Sequence, residues 1–158
     1  MSVQFEASER IGTSAEQVFD ALLDLDAAHR WMPGFVRLER LTSGPLQVGS
    51  EWRETRRFLG KEATEQFELI EQDRPHRLAL RVDGTKGSTG RGEYLFTYRL
   101  GPANDGTEVR LSGDIRGLPG VTSWFGKLLV GPYRKACVKD LKALKRYLEA
   151  PPASATAR

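Results

Sequence analysis

Over the first eleven residues apolar and polar side chains alternate. Val3, Phe5 and Ala7 fall between Gln4, Glu6 and Ser8, the two-residue period of a strand with one buried face. This strand is predicted to run to about Ile11. Thr13-Ser14-Ala15-Glu16 then offers the hydroxyl and carboxylate of a capping box, and the period lengthens to that of a helix, with Val18, Phe19, Leu22 and Leu25 on one face. A second helical turn is expected over 27–32, capped by Asp26 and stopped at Pro33-Gly34.

From Phe35 the pattern is β. Strands are predicted over 35–41 and 50–58, the second leading into a hairpin whose turn is Gly60-Lys61, with glycine first where φ is positive. That turn would set Phe58 opposite Ala63, Arg56 opposite Glu65, Glu54 opposite Phe67 and Trp52 opposite Leu69. All eight would share one face, mainly apolar but carrying three charges. Further strands follow over 77–82, with Leu78, Leu80 and Val82 together, and over about 88–100, with Tyr94, Phe96, Tyr98 and Leu100 together. Asn104-Asp105-Gly106 is a turn into a last strand carrying Val109, Leu111 and Ile115. Seven strands result.

Beyond Leu118-Pro119-Gly120 the period is helical again. Val121, Trp124, Phe125 and Leu128 form one stripe up to Gly131-Pro132, where proline should kink the helix. Cys137, Leu141, Leu144 and Leu148 form a second stripe, backed by Arg134, Lys135, Lys139, Lys142, Lys145 and Arg146. Pro151-Pro152 ends the helix. The expected organisation is one domain over 1–150 with a flexible tail over 151–158.

Composition narrows the picture. A chain of 158 residues, 39% hydrophobic and 28% charged, can bury a core without staples. Its 24 basic and 21 acidic residues leave a formal charge of +3, and they interleave along the strands rather than gathering on one face, which argues against nucleic acid. Cys137 is the only cysteine, so no internal disulfide forms, and His29 and His76 are too far apart for a zinc-ligand spacing. No metal or cofactor is expected. Residues 1–10 lack the apolar run of a signal peptide, and no stretch has membrane-spanning length, so a cytoplasmic protein is expected. The glycine-rich run at 87–92 enters a strand rather than a helix, so it is no phosphate loop.

The order of one strand, two short helices, six meandering strands and one long final helix resembles the START-like (SRPBCC, helix-grip) superfamily. That group includes polyketide cyclase/dehydrase-like proteins, lipid-transfer domains and the birch-pollen allergen family. The resemblance is carried by Ile11-Gly12-Thr13-Ser14-Ala15-Glu16-Gln17-Val18-Phe19, Trp31-Met32-Pro33-Gly34-Phe35, Val48-Gly49-Ser50-Glu51-Trp52 and Gly106-Thr107-Glu108-Val109. It implies an α+β fold in which a strongly bent seven-stranded antiparallel sheet grips the C-terminal helix around a ligand cavity. Function is left open, because one fold hosts binding, transport and chemistry alike.

Candidate lining residues are Trp31, Trp52, Phe67, Leu69, Tyr94, Phe96, Tyr98, Trp124, Phe125 and Tyr133. The same side chains could equally pack a solid core. Arg56 and Glu65, turned inward, are either a polar anchor for a ligand or a cross-strand ion pair. Glu54 and Glu65 are the carboxylates that could move protons if burial raised a pKa, though a lone strand glutamate is more often a solvated or paired charge. His29 and His76 read as surface or capping groups. Three functions compete. They are binding or carriage of a small hydrophobic or aromatic molecule, a cyclase, aromatase or dehydratase chemistry, and an interaction module with an incidental cavity. The basic back of the last helix could touch a membrane surface weakly, although such a face is usually just solvated.

Overall fold

The structure, a computed structural model, describes residues 2–118 and 124–151 and, within the last helix, side chains from Val130 onward. The expectations for Val121, for the side chains of Trp124, Phe125 and Leu128, and for the tail over 152–158 lie outside the described residues. In chain order the elements are β1 (Ser2–Ile11), α1 (Ala15–Leu23), a 3₁₀ turn (Ala28–Arg30), β2 (Phe35–Arg40), β3 (Glu51–Phe58), β4 (Lys61–Asp73), β5 (Arg77–Asp83), a second 3₁₀ turn (Gly84–Lys86), β6 (Glu93–Ala103), β7 (Gly106–Arg116) and α2 (Trp124–Glu149). The strands form one antiparallel sheet in the order β1-β7-β6-β5-β4-β3-β2, with α2 against it: the helix-grip α+β fold. Register shifts at Phe35/Arg37 and Leu69/Glu71 mark bulges, which sharpen a sheet's bend.

Local chemistry differs from expectation at four points. The cap of α1 is Ser14, whose hydroxyl accepts from Gln17 N at 3.3 Å, one residue later than the box at Thr13. Asp24 rather than Asp26 accepts from Ala27 N ahead of the 3₁₀ turn, at 3.1 Å. Strand β6 begins at Glu93, not near Ser88. Residues 84–92 instead fold back on β4, where Ser88 N donates to Thr64 O at 2.7 Å and Thr64 N donates to Ser88 Oγ at 2.8 Å. Helix α2 runs as one element through Pro132, the proline expected inside it.

The β3–β4 hairpin carries the fourth difference. Its two-residue turn is Leu59-Gly60, both at positive φ (50° and 77°), flanked by the pair Phe58 and Lys61. Trp52 therefore faces Phe67, Glu54 faces Glu65 and Arg56 faces Ala63. The expected pairing of Arg56 with Glu65 does not form. A slip of two residues conserves parity, so the same residues stay on one side of the sheet while every partner changes, although Phe58 at the tip is exposed.

The inward face builds the core in cross-strand rows. Trp52, Phe67, Val82, Tyr94 and Ile115 follow one another from β3 to β7, and Leu69, Leu80, Phe96 and Gly113 form the next row. Phe5 lies across Gly113 so closely that a Cβ there would sit 2.2 Å from its ring, and it meets Phe96 edge-on at 6.5 Å. Glycine is required at 113 for this aromatic to enter the core. From α2 the same core receives Cys137, Leu141 and Leu144, and from α1 Val18 and Phe19. No described helix is long and apolar enough to cross a membrane.

Candidate functional site

Helix α2 does not sit centrally over the sheet. It packs mainly along β1. There Arg134 Nε donates to Glu6 O at 2.9 Å and Lys145 Nζ to Arg10 O at 2.5 Å, covering carbonyls of an edge strand. Glu149 accepts from Gly12 N at 3.1 Å. Two of the six basic residues behind the helix are thus engaged with β1 rather than free. Toward the opposite edge the described contact is polar: Arg56 on β3 donates to both carboxylate oxygens of Asp140, at 2.9 and 2.6 Å. Its Nε donates to Pro33 O at 3.0 Å. This fork joins β3, the loop before β2 and the middle of α2.

Between these two attachments the concave faces of β4, β5 and β6 lie under the helix. Phe67, Leu80, Phe96 and Tyr98 occupy central strands and are nevertheless only half-buried. Tyr98 is the clearest instance. Burial drives its phenol well above the ordinary pKa, and its side chain is half-buried. Trp52 stacks on Phe67 with ring centroids 5.8 Å apart and planes 6° from parallel, walling one side.

A polar cluster adjoins these rings. Glu54 is 7% exposed, and burial pushes its carboxyl up to about 7. Asp140 adds to the rise, while Arg56, 3.7 Å away, and the Trp52 indole oppose it. Such a carboxyl is divided between its acid and base forms near neutral pH, the condition for moving protons. Asp140 keeps Arg56 charged against the cost of burial. Burial raises the Cys137 thiol to about 12, so it is no nucleophile at neutral pH. The Trp52 indole N–H lies close enough to Glu54 to favour its charged form without closing a full hydrogen bond, and the Trp31 N–H is buried without a partner among the described residues.

Glu65 has a different task. Although opposite Glu54 in register, its head turns to the 84–92 loop, where Oε1 accepts from Thr89 N at 3.0 Å and Thr89 Oγ1 at 2.6 Å. Its Oε2 is buried without a partner beside Gly87, where a Cβ would come within 2.2 Å of it. Nearby, the hydroxyls of Tyr94 and Tyr133 are 3.4 Å apart, and burial raises the Tyr94 phenol. Glu65 clamps a loop, whereas Glu54 lies beside Arg56.

The structure thus brings Trp52, Glu54, Arg56, Phe67, Leu69, Phe96 and Tyr98 onto one face. It adds Tyr94 with Tyr133 and places Trp31 against the same core. His29 is exposed and lies 2.9 Å from Asp26 O through Nδ1. Reading the sequence missed Asp140, which decides what Arg56 does. The signal was present: Asp140 is the acid lying between Cys137 and Leu144, three residues after one and four before the other, on the apolar side of α2. Two surface clefts, of about 590 Å³ beside the N-terminus of α1 and about 360 Å³ beside Arg81 and Arg116, contain none of these residues.

A family model described as polyketide cyclase / dehydrase and lipid transport matches residues 2–149. No curated protein matches the chain. Among solved structures, the Zhui aromatase/cyclase from a Streptomyces species is 18% identical with a TM-score of 0.76, covering 94% of each chain. A major latex-like protein from Panax ginseng is 10% identical with a TM-score of 0.77, over 94% of this chain and 98% of that one. A Thermus thermophilus protein is 19% identical with a TM-score of 0.74, over 92% and 97%. At these identities the likeness is one of fold.

Proposed function

Since the chain belongs to the polyketide cyclase / dehydrase and lipid transport family, we propose that it binds a small hydrophobic, aromatic-bearing molecule between the concave sheet and α2. The observation that carries this reading is the half-buried aromatic wall of Phe67, Phe96 and Tyr98 on central strands beneath a helix. A solid core would bury these rings fully. Apolar walls with few convergent polar groups are what a small-molecule site requires. Here Glu54 and the Trp31 and Trp52 N–H groups supply polarity, while Arg56, committed to Asp140 and Pro33, acts as a strut.

One observation favours chemistry as well as binding: a buried carboxyl poised near 7 could protonate or deprotonate a bound carbonyl compound, as cyclisation or dehydration requires. Native mass spectrometry of the purified protein, followed by a thermal-shift screen of fatty acids, sterols, flavonoids and aromatic polyketides, tests both readings. A co-purified or stabilising ligand is expected. If that ligand turns over, Glu54→Gln should stop turnover while leaving binding intact. No ligand and no shift across the panel would overturn the binding reading.

A further inference from the structure

The β3–β4 hairpin ends in a turn whose chemistry is wrong for folding alone. Its first central residue, Leu59, has φ of 50°, a conformation for which a two-residue turn ordinarily uses Asn, Asp or Gly. Leu59 is also 87% exposed, and Phe58 beside it is 48% exposed. Local rules broken without benefit to the monomer point to a use outside it. The tip is flanked by exposed Arg57 and Lys61, with Glu62 paired to Arg57 at 3.3 Å. Phe58 and Leu59 lie two and three residues beyond Arg56, where β3 meets Asp140 of α2. On the outer face of α2, the helix that Arg56 ties to β3, Lys135, Lys139, Lys142 and Arg146 recur at spacings of four, three and four and are all exposed. None makes an ion pair among the described residues.

We propose that the Phe58-Leu59 tip, with the Lys135–Arg146 stripe, docks the protein on the surface of an anionic bilayer, a role beyond ligand binding in the interior. The dimensions favour lipid over a protein partner. Two apolar side chains bordered by Arg57, Lys61 and Glu62 fall far short of the roughly 800 Å² per partner that a specific protein interface buries. A bilayer interface demands no matching shape. It takes apolar side chains at the acyl boundary and cations at the level of the headgroups.

Flotation with vesicles of phosphatidylcholine alone, or with about 30% phosphatidylserine, at about 0.05 and 0.5 M salt tests the proposal. The wild type is expected to float with anionic vesicles and to be released by salt. Leu59→Asn should weaken that binding about tenfold while its thermal midpoint holds or rises, because Asn suits the turn. Lys139→Ala with Lys142→Ala should weaken binding to anionic vesicles only. An unchanged ligand-induced thermal shift in Leu59→Asn would separate docking from interior binding. Absence of wild-type binding to either vesicle, or equal binding by Leu59→Asn, would overturn the proposal. So would a dimer that Leu59→Asn dissolves without any vesicle binding, which would make the tip a contact between copies.

Discussion

The two flanks of α2 are held in opposite ways. Along β1 the helix is packed: Leu141 and Leu144 are buried among Phe5, Ala7 and Leu111 in the continuous core, and cationic side chains cap the strand edge. Toward β3 it is tied by a polar fork from Arg56 to Asp140, spanning a face whose aromatic rings remain half open. The lesson is that one helix can be held on two flanks by different means. The chain concentrates apolar contact on one flank and braces the other with directional bonds, which hold distance without filling volume.

Substitutions that act on one flank only would break this contrast. The largest effect is expected at Leu144→Ala on the packed flank. This side chain is fully buried, so its loss should cost about 3–5 kcal/mol, read by urea unfolding, with the ligand-induced shift of the surviving fold preserved. An equal loss of ligand binding would mean the flanks are not separate.

Next in size is the pH response of the open flank. The folded-state pKa of Glu54 is raised from 4.5 to about 7, so the native state holds the proton that the unfolded chain gives up. Stability from this group is full below about pH 4.5 and falls as pH rises through about 7, by roughly 3 kcal/mol in all. Glu54→Gln should flatten the profile in this window, measured by thermal unfolding across pH. An unaltered slope would show that Glu54 is not the buried titrating group.

The smallest expected effect, and the sharpest comparison, comes from the brace. Arg56→Met alone leaves Asp140 and Glu54 facing each other and should cost about 2–3 kcal/mol. Arg56→Met combined with Asp140→Leu should recover most of it, because both charges are then gone. Strict additivity of the two changes would mean the fork carries no coupling.

The β1, β6 and β7 alternations and the late helical period were legible because burial on one face imposes a period that any reader can count. The identity of cross-strand partners was less so. Leu59 in a turn conformation suited to glycine hid the hairpin's register, and Ser14 displaced Thr13 by one residue and Asp24 displaced Asp26 by two as caps. That Trp52, Phe67, Phe96 and Tyr98 share the inward face followed directly from parity. The separation of Glu54 from Glu65 did not, since neighbours in register with the same side chain turn to different loops and helices.

What the sequence determined by itself, then, is which side of each strand faces inward and which stripe of α2 is apolar, because periodicity is a local property of a chain that must hide its apolar groups. What only the tertiary structure decided is where α2 rests. That placement ties Arg56 to Asp140, buries Glu54 enough to raise its carboxyl, and leaves Tyr98 half-buried with its phenol raised. Desolvation and ion pairing depend on distances between elements far apart in the chain, and Arg56 meets Asp140 across 84 residues.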